Sequence, residues 1–208
     1  MKYERHCRIR DLFFAMVLVS VVVQKPALAQ SKQTFPTVSL ALQAIRASYF
    51  VSTGFEMARN DLDNTPVTLV LSGTDAARVF ENLVAQRPAY AWRLEGGVYD
   101  LYPKIAAQSA SDLVVQSYVL NDATRADALD AIGRLPEFQR WLSAQRATRQ
   151  EFIVSTSHSP KQRDQRISLV VGDTSLRNIL NQLIKTFGDE SWIIDRHGDN
   201  MEYIGVYF

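Results

Sequence analysis

A long stretch of this 208-residue chain is written twice, and any fold it adopts has to accommodate the repetition. Val67-Thr-Leu-Val-Leu71 returns as Ile167-Ser-Leu-Val-Val171 at an offset of 100 residues. Thr74 answers Thr174, Val79-Phe80 and Leu83-Val84 answer Ile179-Leu180 and Leu183-Ile184, and Trp92 is matched to Trp192. Self-similarity on this scale marks a supersecondary unit used more than once.

The unit reads as strand, helix and hairpin. Val67, Leu69 and Leu71 alternate with Thr68, Val70 and Ser72, and the run stops at Gly73, as a half-buried strand closed by a turn does. Thr74 is the expected N-cap, since its hydroxyl can accept from amides of the first helical turn. Val79, Phe80, Leu83 and Val84 line one helix face, and Arg87-Pro88 ends it. Tyr90 to Glu95 and Val98 to Tyr102 are then two strands, joined by a Gly96-Gly97 hairpin turn. In the second copy Gly188 closes the helix, Trp192–Asp195 and Tyr203–Phe208 are the strands, and Arg196–Asn200 is a longer turn.

What precedes the unit is repeated as well. Phe35-Pro leads into a helix with Leu40, Ala41, Ala44 and Ile45 on one face, followed by a strand at Gly54–Arg59 and a loop at Asn60–Asn64. In the second half Leu113–Leu120 is a strand, Ala128-Leu-Asp-Ala-Ile132 echoes Ala41-Leu-Gln-Ala-Ile45, and Phe152–Thr156 stands where Phe55–Arg59 stood. The offset grows from 87 to 97 to 100 along this stretch, so the second copy carries insertions. Each copy therefore reads as βαββαββ. Striped helices and alternating strands bury their faces on each other, which predicts an α+β fold of two tandem small two-layer sandwich domains. Their expected bounds are 30–104 and 112–208, with a linker at 105–111 and a basic insertion near 134–150.

The N-terminus reads as a signal peptide over residues 1–29. A basic head (Lys2, Arg5, Arg8, Arg10) precedes a short apolar run, Leu12–Val23, and a small-x-small cleavage site at Ala27-Leu28-Ala29. Cleavage there places the chain in the periplasm or outside the cell, with no membrane span in the mature protein. It removes Cys7, the single cysteine, and takes the formal charge from +1 to about −2. That balance gives no general attraction to nucleic acid.

The first copy, through Phe35-Pro, Leu40-Ala-Leu, Ile45, Gly54-Phe-Glu, Val67-Thr-Leu, the helix to Leu83 and the Tyr90–Leu101 hairpin with its Trp92 and Gly96-Gly97, resembles the short N-terminal (STN) domain of secretins and TonB-dependent receptors. The likeness covers about 65 residues, and the second copy is a looser version. It implies a periplasmic, non-enzymatic module that docks to envelope proteins: a barrel, a secretin or a regulatory protein. The chain departs from the pattern in carrying no plug or barrel after the repeat, so the docking partner is expected on another polypeptide.

Candidate chemistry is sparse. Ser157, His158 and Asp164 could be drawn as a hydrolase set, but all lie in one polar stretch without the Gly-x-Ser-x-Gly elbow, and this is the weakest of three readings. Asn60–Asn64 clusters oxygen ligands without the glycine and glutamate of a calcium loop. No metal site, cofactor or catalytic residue is expected. Trp141 lies outside the duplicated positions and is expected to be exposed; with Arg140, Arg146 and Arg149 it forms a candidate surface, the alternative function being binding of cell-wall glycan or peptide. Tyr203 and Tyr207 lie on the final strand, expected at or near a sheet edge, where unpaired backbone invites strand addition by a partner.

Overall fold

A computed structural model describes residues 32–58, 65–105, 109–145, 149–153, 162, 164–197 and 203–207, and for 149–153, 196–197, 203–205 and 207 the description is of the backbone. The expected leader over 1–29 therefore lies outside the described residues. The chain mixes helices and strands as an α+β fold does. In order the elements are β1 (Lys32–Phe35), α1 (Val38–Tyr49), β2 (Ser52–Glu56), β3 (Val67–Val70), α2 (Ala76–Gln86), β4 (Tyr90–Glu95) and β5 (Val98–Pro103). There follow β6 (Val114–Ala123), α3 (Arg125–Gly133), α4 (Pro136–Ala144), β7 (Arg149–Ile153), β8 (Ile167–Ser175), α5 (Leu176–Phe187), β9 (Ser191–His197) and β10 (Tyr203–Tyr207).

The helices begin where side chains can cap them. Thr37 accepts from the Leu40 amide ahead of α1. Thr124 accepts from the Asp127 amide ahead of α3, and Asp127 bonds back to complete a capping box. At α2 the cap is Asp75, which accepts from the Ala77 amide, one residue later than the expected Thr74. The aspartate reaches the free amide and adds a negative charge at the positive end of the helix.

Strand pairing follows one scheme in both halves. β1 pairs antiparallel with β3, and β6 with β8. β4 pairs antiparallel with β5, and β9 with β10. β2 pairs parallel with β5, and β7 with β10. The register also recurs, with Phe55 opposite Leu101 in the first half and Phe152 opposite Val206 in the second. Gly96 and Gly97, at φ 58° and 84°, form the two-residue hairpin turn that the sequence predicts.

Between the two halves the sheets do not stop. β2 lies beside β9 in parallel, Gly54 opposite Trp192, so six strands run β4-β5-β2-β9-β10-β7. One face of this sheet carries Phe55, Leu101 and Tyr90 into a core with Ala41, Leu42, Ile45, Phe80 and Leu83 of α1 and α2. The other carries Trp192, Ile194 and Val206 into a core with Ala128, Leu129, Ile132, Leu180 and Leu183 of α3 and α5. Within the joined sheet the helices of the first half thus cover one side and those of the second half the other. The ribbons β1–β3 and β6–β8 close each helix layer from outside.

Register corrects the matching of the tryptophans. Leu101 faces Trp92 across β4–β5, and the equivalent Val206 faces Ile194 across β9–β10, so Trp92 corresponds to Ile194 and Tyr90 to Trp192. Two additional residues between Leu183 and Trp192, compared with Leu83 and Tyr90, cause the shift: α5 runs one residue longer than α2, and β9 starts one residue ahead of Trp192. An even slip keeps every side chain on its face, which is why the strand's inward pattern survives it. Tyr90 and Trp192 are both buried.

Candidate functional site

The join between the halves concentrates the buried polar groups. Gly54 is the reason they fit. A Cβ there would lie 2.2 Å from Asp100 Oδ1 and 2.3 Å from the Trp192 ring, so only glycine lets these neighbours lean over β2. Asn181 of α5 bridges them, its amide donating to Asp100 Oδ2 at 2.8 Å while its oxygen accepts from Trp192 Nε1 at 2.6 Å. Arg177, one helical turn earlier on α5, is fully buried. It donates to Asp112 Oδ1 at 2.6 Å and Ser111 Oγ at 2.7 Å, lies 3.9 Å from Asp100 Oδ2, and stacks over Tyr102. On β2, the Glu56 carboxylate accepts from Ser109 Oγ at 2.8 Å and from the amides of Ala110 and Ser111 at 2.6 and 3.0 Å.

Asp100 is the perturbed group of this cluster. Burial pushes its carboxyl up to about 7, opposed by the Asn181 hydrogen bond and the charge of Arg177. A carboxyl near neutrality can serve as acid or base, yet this one has no exposed surface and cannot meet a substrate in solution. The seam is a joint. A second buried ion pair ties α3 to the end of α5, where Arg125 donates to Asp189 at 2.9 Å and to the Phe187 carbonyl at 2.6 Å.

The surface residues singled out from the sequence scatter. Trp141 is a correction: it is only 7% exposed, stacks on Phe138 at 5.7 Å, and packs into the second half's core with Leu142. The physical reason is α4 itself, whose Phe138, Trp141 and Leu142 share one stripe at helical spacing and turn inward. Arg140 lies on the outer side of α4 and is exposed. Arg146 lies outside the described residues, and Arg149 begins β7, at one end of the sheet. Tyr203 and Tyr207 begin and end β10, which runs between β9 and β7 and is one strand in from the edge. Ser157, His158 and Asn60–Asn64 lie outside the described residues, whereas Asp164 is exposed. His197 ends β9, so the strand runs further than the expected Asp195.

Two surfaces not anticipated from sequence stand out. The ribbon β6–β8 pairs with no other strand among the described residues and shows Val114, Val119 and Val170 to solvent at 63%, 50% and 74%, with Val119 directly opposite Val170. Beside α1 there is a cleft of two adjoining cavities, about 250 and 490 Å3, that share Gln43 and Arg46. Among the described residues no group of three His, Cys, Asp or Glu side chains is placed to hold a metal, and no helix is long and apolar enough to cross a membrane. Comparison with protein-family models, curated proteins and solved structures gives no match.

Proposed function

We propose that the chain is a non-enzymatic docking protein of the periplasm or cell exterior, built from two tandem STN-like βαββαββ modules, that binds a protein of the cell envelope such as a barrel, a secretin or a regulatory protein. The recurrence of element order, pairing and register in the two halves supports the tandem reading. The observation that carries the docking role is the β6–β8 ribbon. Two strands of ten and nine residues leave both outer edges unpaired among the described residues and present a cross-strand valine pair outward. Open strand edges accept a partner strand through main-chain hydrogen bonds, and contiguous exposed apolar side chains mark contact surfaces.

The test is capture from envelope extracts by the immobilised protein and by a Val119→Lys, Val170→Lys double variant. A membrane or secretion-system protein that the wild type retains and the double variant loses is the expected outcome. Background binding alone, or equal retention by the variant, would overturn the reading.

A further inference from the structure

We propose that the cleft beside α1 binds a short extended acidic peptide of the partner, with a carboxylate seated against Arg46 and apolar side chains over Leu40 and Phe50; this rests on the docking role above and gives it a ligand chemistry.

Arg46 supplies the first observation. Its Nε is buried and has no hydrogen-bond partner, and no described carboxylate lies within ion-pair distance of its guanidinium. Burial lowers its pKa, against the charge of Glu190, so the cation is held partly out of water without a direct anion contact. A planar guanidinium in that condition is completed by a carboxylate, which can accept two parallel hydrogen bonds from it. The smaller cavity shows where that carboxylate enters. It is lined by Leu40, Gln43, Arg46, Thr53 and Ile193 among others, and no acidic side chain among the described residues faces it. Glu190 faces only the larger cavity, so a ligand carboxylate approaching from the Leu40 side meets the cation first.

Phe50 supplies the second, independent observation. It caps the C-terminus of α1 at φ 54° and ψ 45°, in the left-handed region, with 93% of its surface exposed. Glycine fills the corresponding cap of α5, Gly188 at φ 73°. A phenyl group gains little for the fold at such a position, since the conformation disfavours a side chain and the residue stands 93% exposed. Strain of this kind collects at binding sites. Leu40, at 44% exposure, stands at the other end of the same helix face, with Gln43 and Ala47 between. From Leu40 to Phe50 is roughly 15 Å along the helix axis. An extended peptide covers that distance with about five residues. Gln43, exposed between the apolar ends, can both donate to and accept from its backbone.

The test uses fluorescence anisotropy with a pool of labelled seven-residue peptides alternating glutamate with leucine, valine or phenylalanine, and a matching pool with glutamine for glutamate. The acidic pool is expected to bind saturably and about tenfold more tightly than the glutamine pool, with Arg46→Gln erasing that difference. Phe50→Asn, which suits the left-handed cap, is expected to keep the fold by thermal melt and to weaken both pools alike. No saturable binding, equal affinity for the two pools, or an Arg46→Gln variant that still prefers glutamate would each overturn the inference. Envelope capture separates this from the docking role itself. If the captured partner is retained by both Arg46→Gln and Phe50→Asn, the cleft reading falls and the ribbon reading stands.

Discussion

Val38 and Arg125 both open the first helix of their half, one residue after a capping threonine, and both are buried. Behind them Ala41, Leu42 and Ile45 match Ala128, Leu129 and Ile132 residue for residue. Val79, Phe80 and Leu83 on α2 likewise match Ile179, Leu180 and Leu183 on α5. The halves agree at the apolar positions that fill each core, Val38 against Arg125 being an exception tied by the Arg125–Asp189 ion pair within the second half. They differ where one half touches the other: Ala77 and Glu81 on α2 stand where α5 has the buried Arg177 and Asn181, and Glu151 stands where β2 has Gly54. The apolar positions therefore build each half, and the polar differences at Arg177, Asn181 and Gly54 lie where the halves meet. The same reasoning explains why the join occurs once, since β7 carries no glycine in its stretch to admit an overhanging aromatic ring.

The comparison breaks most readily at Arg177. Arg177→Met is expected to cost about 3–5 kcal/mol at pH 8, because it takes the cation from beside the buried Asp100 and leaves Asp100 only the Asn181 hydrogen bond. Urea denaturation measures it, and the equivalent first-half change, Ala77→Met, is expected to cost far less because Ala77 is only half buried and bonds to nothing across the join. Gly54→Ala is expected to cost about 3 kcal/mol through overpacking against Asp100 and Trp192. A melting temperature within error of wild type would show that β2 and β9 are not in contact as described.

Next in size is a dependence on pH. The Asp100 carboxyl rises from 3.8 unfolded to about 7 folded, so the folded chain binds the additional proton between those values. Stability therefore falls as pH rises through that window, by roughly 1 kcal/mol per pH unit, and levels off above it. Asp100→Asn should flatten the curve between pH 5 and 8, and an unchanged slope would place the titrating group elsewhere. The smallest effects are at the caps. Thr37→Ala and Thr124→Ala should each cost about 1 kcal/mol, more at Thr124, where Asp127 returns a second bond. Equal losses would mean that the capping box adds nothing.

The sequence made the local elements legible. Period and punctuation gave α1, α2, α3 and α5, the Gly96-Gly97 hairpin and the equivalence of the two α1-type stripes, because those signals lie within one element, whereas α4 was read only as a basic insertion. The tryptophan matching erred by two residues because Trp92 and Trp192 look alike while α5 runs one residue longer than α2 and β9 starts one residue ahead of Trp192. Trp141 was misjudged because it lies outside the duplicated positions, although Phe138, Trp141 and Leu142 already spelled an inward stripe. The β2–β9 pairing left no local trace at all. A parallel contact between distant segments shows only as a glycine in a strand, and Gly54 gives no hint of its partner. The cleft was invisible for a similar reason, since Arg46 and Phe50 become unusual only once burial and backbone angle are known.

The parallel joint also sets a schedule for the newly made chain. β2 is made before its neighbour β9, with β3 to α5 synthesised in between, so the first half must wait with one sheet edge open. Pairings so distant in sequence form slowly, and an unpaired edge is adhesive in the meantime. Protection of that edge during synthesis is thus a requirement written into the strand order, and truncation anywhere before Ser191 should yield a product that aggregates.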